Sequence, residues 1–257
     1  YCNRPTAPAA IAGALVQQVA ECLAGLAYVN AIKPGAPAIF GLWCFVSDLR
    51  SGAMSGGSPE QVLLSAASAQ MAHFYNLTGG TSSGISDAKF PDAQSGSEKG
   101  INHALVGNAG MNLIYEAAGM HGSLLGYSYE GIILDNDTIG SVQRTIKGIE
   151  VTDESLSIET MRAQCIGGPG HYLGAEQTLR IMQSEYLYPA IGDRLSSKEW
   201  KEVGKPEIND VAHKKVREIL ENHYPSHISE SMDANIRSYL DIRLPREKMV
   251  NPNLIIA

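Results

Sequence analysis

The sequence predicts an α/β protein, the C-terminal half of a (β/α)8 TIM barrel carrying a helical C-terminal extension. Three observations predict it. Three short apolar runs recur about 35 to 40 residues apart, each followed by a helical pattern, which is the rhythm of parallel βα units. A helix precedes the first run, and three strands are too few to close a barrel. Charge is also graded: residues 1–150 carry 18 of the 47 Lys, Arg, Asp and Glu, residues 151–192 carry 7 and residues 193–257 carry 22. The expected division is therefore a partial barrel over 1–150 and a mainly helical region over 151–257 that packs on it. The chain starts at Tyr1, without Met and just before a helix, so it reads as a piece of a longer protein.

The first helix is expected from about Pro8 to Ala31, where Ile11, Leu15, Val19, Cys22 and Leu26 keep helical spacing, and it ends at Lys33-Pro34-Gly35. Residues 36–42, apolar and bounded by breakers, read as a buried strand. Ser58-Pro59-Glu60-Gln61 opens the next helix with a Ser cap, Pro at the first helical position and Gln three residues after the cap. That helix runs to about Tyr75, and a short strand follows near Leu77 to Thr81. After a polar loop, a helix is expected from about Asp92 to Asn108. Met111 to Glu116 reads as the third strand and Tyr129 to Gly148 as the helix that follows it. Beyond that the expected helices are about 155–164, 173–185, 196–203, 206–222 and 229–240, with Gly167-Gly168-Pro169-Gly170 as a hard break.

Composition narrows the function. With 44% hydrophobic residues over 257 positions, the chain has ample material for a core. The net charge of -7 argues against a nucleic-acid backbone as partner, which needs clustered Lys and Arg. Cys2, Cys22, Cys44 and Cys165 lie singly, so they read as reduced thiols in a cytoplasmic protein and not as a zinc site. No uninterrupted apolar run reaches the roughly 18 residues of a membrane span, because Gln17, Gln18 and Glu21 break up the first helix. There is no HExxH, no phosphate loop and no dinucleotide fingerprint, so no resident metal or cofactor is expected.

Loops that follow the strands of parallel folds carry the chemistry. After the first strand come Trp43 and Phe45, whose rings can hold a cation by cation–π attraction; the bland alternative is an aromatic lid with Asp48 and Arg50 paired locally. The second loop offers Asp87, Lys89 and Gln94 among glycines and serines, with Asp92 there as a helix cap. The third strand ends in Tyr115-Glu116, and His121 follows near the same mouth. A strand-end carboxylate is costly to bury unless paired, so Glu116 and Asp87 are the catalytic candidates. Trp43, Phe45, Lys89, Gln94 and Tyr115 are the candidate substrate-binding residues, with Lys89 either holding a substrate tail or pairing with Glu116.

The segments PTAPAAIAGALVQQVAECLAG, KPGAPAIFG, SGGSPEQ, SDAKFPDAQSGSEKG, EAAGM, GIEV and GHYLGAEQTLR resemble, in collinear order, the trimethylamine:corrinoid methyltransferase family. Its members are about twice this length. The resemblance implies a (β/α)8 barrel that moves a methyl group from an amine to the cobalt of a separate corrinoid protein, so the corrinoid arrives on its partner. The trimethylamine branch carries pyrrolysine, and relatives without it act on quaternary amines such as glycine betaine. Every residue here is standard, which favours a quaternary amine. Ser97 stands where related segments carry an aromatic residue, so only the loop is carried over as a site region. The implied partners are a corrinoid protein and a small methylated amine, with no nucleic acid and no membrane; a homo-oligomer is compatible with both. The alternatives are a different barrel enzyme, such as a lyase or isomerase, and an inactive binding fragment.

Overall fold

The computed structural model describes residues 6–225 and 227–249; Cys2 and the last expected stretch, 250–257, lie outside them. Chain order begins with helix α1 (Ile11–Ile32), strand β1 (Phe40–Gly41), helix α2 (Pro59–Phe74), strand β2 (Gly79–Ser82), helix α3 (Ala93–Asn108) and strand β3 (Leu113–Tyr115). A hairpin, β4 (Met120–His121) with β5 (Gly126–Tyr127), leads into helix α4 (Tyr129–Lys147). Then come α5 (Ile158–Cys165), α6 (Glu176–Glu185), α7 (Ser197–Glu202), α8 (Ile208–Asn222) and α9 (Glu230–Tyr239). Caps start the core helices where the sequence puts them. Ser58 accepts from the Gln61 N–H, Asp92 from Ser95 and Ser128 from Gly131, each filling one orphan donor of a first turn.

The chain is α/β, and the three expected strands are adjacent and parallel in the order β1-β2-β3. They are shorter than the apolar runs, with only Phe40 and Gly41 of 36–42 laddered. The short antiparallel β4–β5 hairpin was not foreseen, since its two-residue strands leave no alternation to read.

The sheet has two unlike faces. Phe40 pairs with Gly79, and both turn toward the helices: Phe40 packs with Val19 of α1 and Ala72 of α2, while Gly79 abuts Ala72. Strand alternation then assigns Gly41, Gly80, Ser82, Leu113 and Tyr115 to the opposite face. That face is the more open one, with Ile39 52% and Leu113 38% exposed, although Gly80 and Ser82 on it are buried. Helix α1 is long and apolar enough to cross a membrane by length and composition, because Gln17, Gln18 and Glu21 do not outweigh its aliphatic residues. Here Leu15, Val19, Cys22 and Leu23 pack it onto the sheet core.

Helices α3 and α4 are joined by a buried ion pair. Lys99 Nζ lies 2.6 Å from Asp135 Oδ2, with the two side chains 1% and 6% exposed. The same oxygen accepts the Gly119 N–H at 2.7 Å, which ties the turn after β3 to both helices. Further on, α8 packs against α4, and Glu130 of α4 meets His213 of α8 at 2.7 Å. The Asp137 carboxylate accepts the N–H groups of Ala190, Ile191 and Gly192, holding the segment before α7 against α4.

Removing one partner of a buried pair strands the other charge. Lys99→Met should cost about 3–5 kcal/mol in a chemical-denaturation midpoint measurement. Adding Asp135→Leu to that variant should recover part of the loss. A double variant whose loss equals the sum of the two single losses would show that the pair is not coupled.

Candidate functional site

At the C-terminal ends of the three strands, on the open face, lies an aromatic cluster. The Trp43 ring centroid is 5.8 Å from that of Tyr115 and 5.1 Å from that of Phe45. Tyr115 lies over Gly80, where any Cβ would collide with its phenol, so glycine is required for the ring to lie against the sheet. Gln61 of α2 fixes the loop that carries Trp43: its carboxamide accepts from the Val46 N–H and donates to the Cys44 carbonyl.

Polar atoms without partners gather at these strand ends. Trp43 Nε1, Ser82 Oγ and Glu116 Oε2 are buried and make no hydrogen bond. Glu116 also has a φ of 54°, in the left-handed region that side chains other than glycine rarely adopt. Burial pushes its carboxyl above the ordinary carboxylate range. A partly buried, unpaired carboxyl in a strained turn, on the residue that follows Tyr115 of the aromatic cluster, is an arrangement that suits a cationic ligand.

A second cluster lies on the loop after β2. Glu98 of α3 accepts from the Ser86 hydroxyl at 2.6 Å and the Asp87 N–H at 2.8 Å through Oε2, and from Gln94 at 2.7 Å through Oε1. Asp87 Oδ1 lies 2.5 Å from the Ser123 hydroxyl, which also reaches the Met54 carbonyl at 2.8 Å. Lys89 is exposed and donates to the Asp87 carbonyl at 2.6 Å.

The sequence-selected residues thus fall into two groups. Trp43, Phe45 and Tyr115 come together at the mouth, with Glu116 next in the chain, while Asp87, Lys89 and Gln94 belong to the Glu98 cluster. Lys89 and Glu116 do not pair: the ammonium donates to the Asp87 carbonyl, and Glu116 Oε2 has no partner. Asp48 and Arg50 do pair locally, and the guanidinium holds the Asp48 carboxyl well below the usual range. His121 turns away from the mouth: its ring lies against Gly131 at the start of α4, and burial lowers its pKa.

Sequence reasoning missed three residues. Glu98, His103 and Ser123 were not singled out in the sequence, yet each ties loops together. Only the (i, i+4) spacing of Gln94 and Glu98 hinted at such a contact. Among the described residues no cluster of His, Cys, Asp and Glu could hold a metal ion.

Comparison with known proteins gives the site its context. The family described as trimethylamine methyltransferase (MTTB) matches over residues 5–247. A glycine betaine methyltransferase of Desulfitobacterium hafniense (strain Y51) is 32% identical over 91% of this chain and 48% of its own length. A trimethylamine methyltransferase of Methanosarcina thermophila is 37% identical over 85% of this chain and 44% of its own, and one of Methanosarcina barkeri is 34% identical over 92% and 47%. The chain spans about half the length of the curated relatives it matches. With the match covering nearly every position from 5 to 247, the chain belongs to the trimethylamine methyltransferase family.

Proposed function

We propose that this chain supplies the C-terminal half of a (β/α)8 barrel, with residues 151–257 as its helical extension, in an enzyme that moves a methyl group from a methylated amine to the cobalt of a corrinoid protein. One observation carries the reading of the site: an aromatic cluster and three unpartnered buried polar atoms coincide at the C-terminal ends of three parallel strands. Parallel barrels bind their substrates at that end. The half-barrel reading is supported by the open sheet face, since all-parallel sheets are normally covered on both sides. Family membership and the names of the relatives support the reaction class.

In this reading Trp43, Phe45 and Tyr115 receive the methylated cation on their ring faces, and ionised Glu116 offsets the charge it brings out of water. The corrinoid, carried by its own protein, supplies the nucleophile when reduced. The side chains here contribute position and charge: they align one methyl group toward the open mouth and exclude water as the C–N electron pair returns to nitrogen. A quaternary nitrogen leaves as a neutral amine, so it needs no proton from the protein. The glycine betaine relative makes a quaternary amine with a carboxylate tail the favoured substrate class. Lys89, exposed beside Asp87, is the cation available to that tail, and Gln94 can hydrogen-bond it.

Four measurements test this. Turnover by the protein should require a reduced corrinoid protein, and robust demethylation without one would defeat the reading. Glu116→Gln should lower kcat/KM by at least about tenfold, roughly 1.4 kcal/mol of transition-state stabilisation. Because burial raises the Glu116 pKa, affinity for a quaternary amine, which does not titrate, should rise with pH through that value and then level off. The Gln variant should show no such rise. Lys89→Ala should raise the KM for a betaine about tenfold more than for tetramethylammonium; equal effects would remove Lys89 from tail recognition.

A further inference from the structure

Behind the mouth, one buried imidazole holds the turn that carries Glu116. His103 of α3 is 5% exposed, and its Nε2 lies 2.9 Å from the Ala117 carbonyl oxygen. A carbonyl only accepts, so Nε2 bears the hydrogen and Nδ1 is left as the acceptor. The Ser83 hydroxyl, 3.0 Å away and fully buried, donates to Nδ1. The Ser83 N–H in turn donates to the Tyr115 carbonyl at 3.2 Å. The carbonyls of the residues on both sides of Glu116 are therefore held, that of Tyr115 by the Ser83 N–H just after β2 and that of Ala117 by His103.

Two further features fit this arrangement. Gly84, at φ 91°, lies where any side chain would overlap both the His103 ring and the Ala117 carbonyl, so the glycine keeps that contact open. Burial also lowers the His103 pKa and favours the neutral ring, in which one nitrogen donates and the other accepts. Serine and histidine at this separation have the geometry of a nucleophile and its base. With Ser83 fully buried and a backbone carbonyl as the third group, however, the pair serves the turn.

We propose that His103 is a positioning residue for Glu116: by donating to the Ala117 carbonyl it fixes the left-handed turn that sets the Glu116 carboxyl at the strand ends. This rests on the reading that Glu116 faces the amine. It also assigns different work to the two ring nitrogens, because only Nε2 acts on the turn directly.

The test uses His103→Asn, His103→Gln, Glu116→Gln and the two combinations of a His103 variant with Glu116→Gln, assayed with the reduced corrinoid protein and a quaternary amine. A Gln amide reaches the position of Nε2 and can still donate to Ala117, whereas an Asn amide reaches only that of Nδ1 and faces Ser83. His103→Asn is expected to lose at least about tenfold in kcat/KM, since a small misplacement of a reacting group costs up to about a hundredfold. His103→Gln should stay within about threefold of the parent. In the Glu116→Gln background, His103→Asn should produce little further loss.

Equal losses for Asn and Gln, or full additivity with Glu116→Gln, would overturn the proposal, because a merely structural imidazole gives both. If His103→Asn does not fold, folded His103→Gln decides: kcat/KM within about threefold of the parent supports the donor role, and a loss of about tenfold or more overturns it. If Glu116→Gln is itself fully active, the reading of Glu116 as the amine's carboxyl has failed. If Glu116→Gln is impaired while folded His103→Asn is fully active, only the positioning role has failed.

Discussion

The placement of the strand-end loops depends on the buried contact between Lys99 and Asp135. It fixes α3 against α4, and the carboxylate oxygen that takes the ammonium also takes the Gly119 N–H. From there the constraint spreads through the backbone. Gly119 accepts from Ser128 at the start of α4, and the β4–β5 hairpin that follows donates from Gly122 to Ala88 and from Ser123 to Ser86. Ser123 then meets Asp87, so the second cluster is tied to the same pair through a few hydrogen bonds. A buried ion pair adds little net stability over well-packed apolar residues, because desolvation offsets much of its Coulomb energy. What it adds here is a fixed register between two helices and three loops.

The second constraint is the asymmetry of the sheet. Phe40, Gly79 and Ala72 make its helix-covered side, while Ile39 and Leu113 leave apolar surface in water on the other at about 25 cal/mol per Å². The open face is also where the chain placed small residues, Gly41 and Gly80, beneath the Tyr115 ring. A sheet that needed only to bury itself would carry branched side chains there. In the half-barrel reading this face is the interior, and covering it adds cohesion while closing the floor of the substrate mouth. Stability and site formation would then come from the same contact, and neither is complete in these residues alone.

Most of the fold was legible because local physics decides it. Caps at Ser58, Asp92 and Ser128 and breakers at Lys33-Pro34-Gly35 mark helix ends regardless of tertiary context. The order and parallel sense of the strands followed from their spacing. Strand length did not, because residues 36–39 are apolar without a laddered neighbour. The clustering of Trp43, Phe45 and Tyr115 was legible because loops after parallel strands converge at one end of the sheet. Glu98 and His103 were not, because their roles lie in which loops they touch across 11 to 20 residues of chain, and no periodicity encodes that. The charge complementarity of Lys89 and Glu116 suggested a pair, but the Asp87 carbonyl is only two residues from Lys89, and the local contact prevailed.

Unpartnered buried polar groups cost about 1–3 kcal/mol each, and Trp43 Nε1, Ser82 Oγ and Glu116 Oε2 concentrate that cost at one end of the sheet. Glu116 shows what such a cost does. Its pKa is raised in the fold, so its contribution to stability is fullest below the ordinary carboxyl pKa and is lost as pH rises through the raised one. In the proposed reading a cation bound beside it would favour the ionised form and lower the raised pKa, so binding a permanently charged amine would release protons over the pH range in which the empty site still holds one. Under that proposal a neutral molecule of the same shape would meet the aromatic rings but could not draw the proton off, so the unpaired Glu116 carboxyl would set both the local cost of the empty site and a preference for charge over shape.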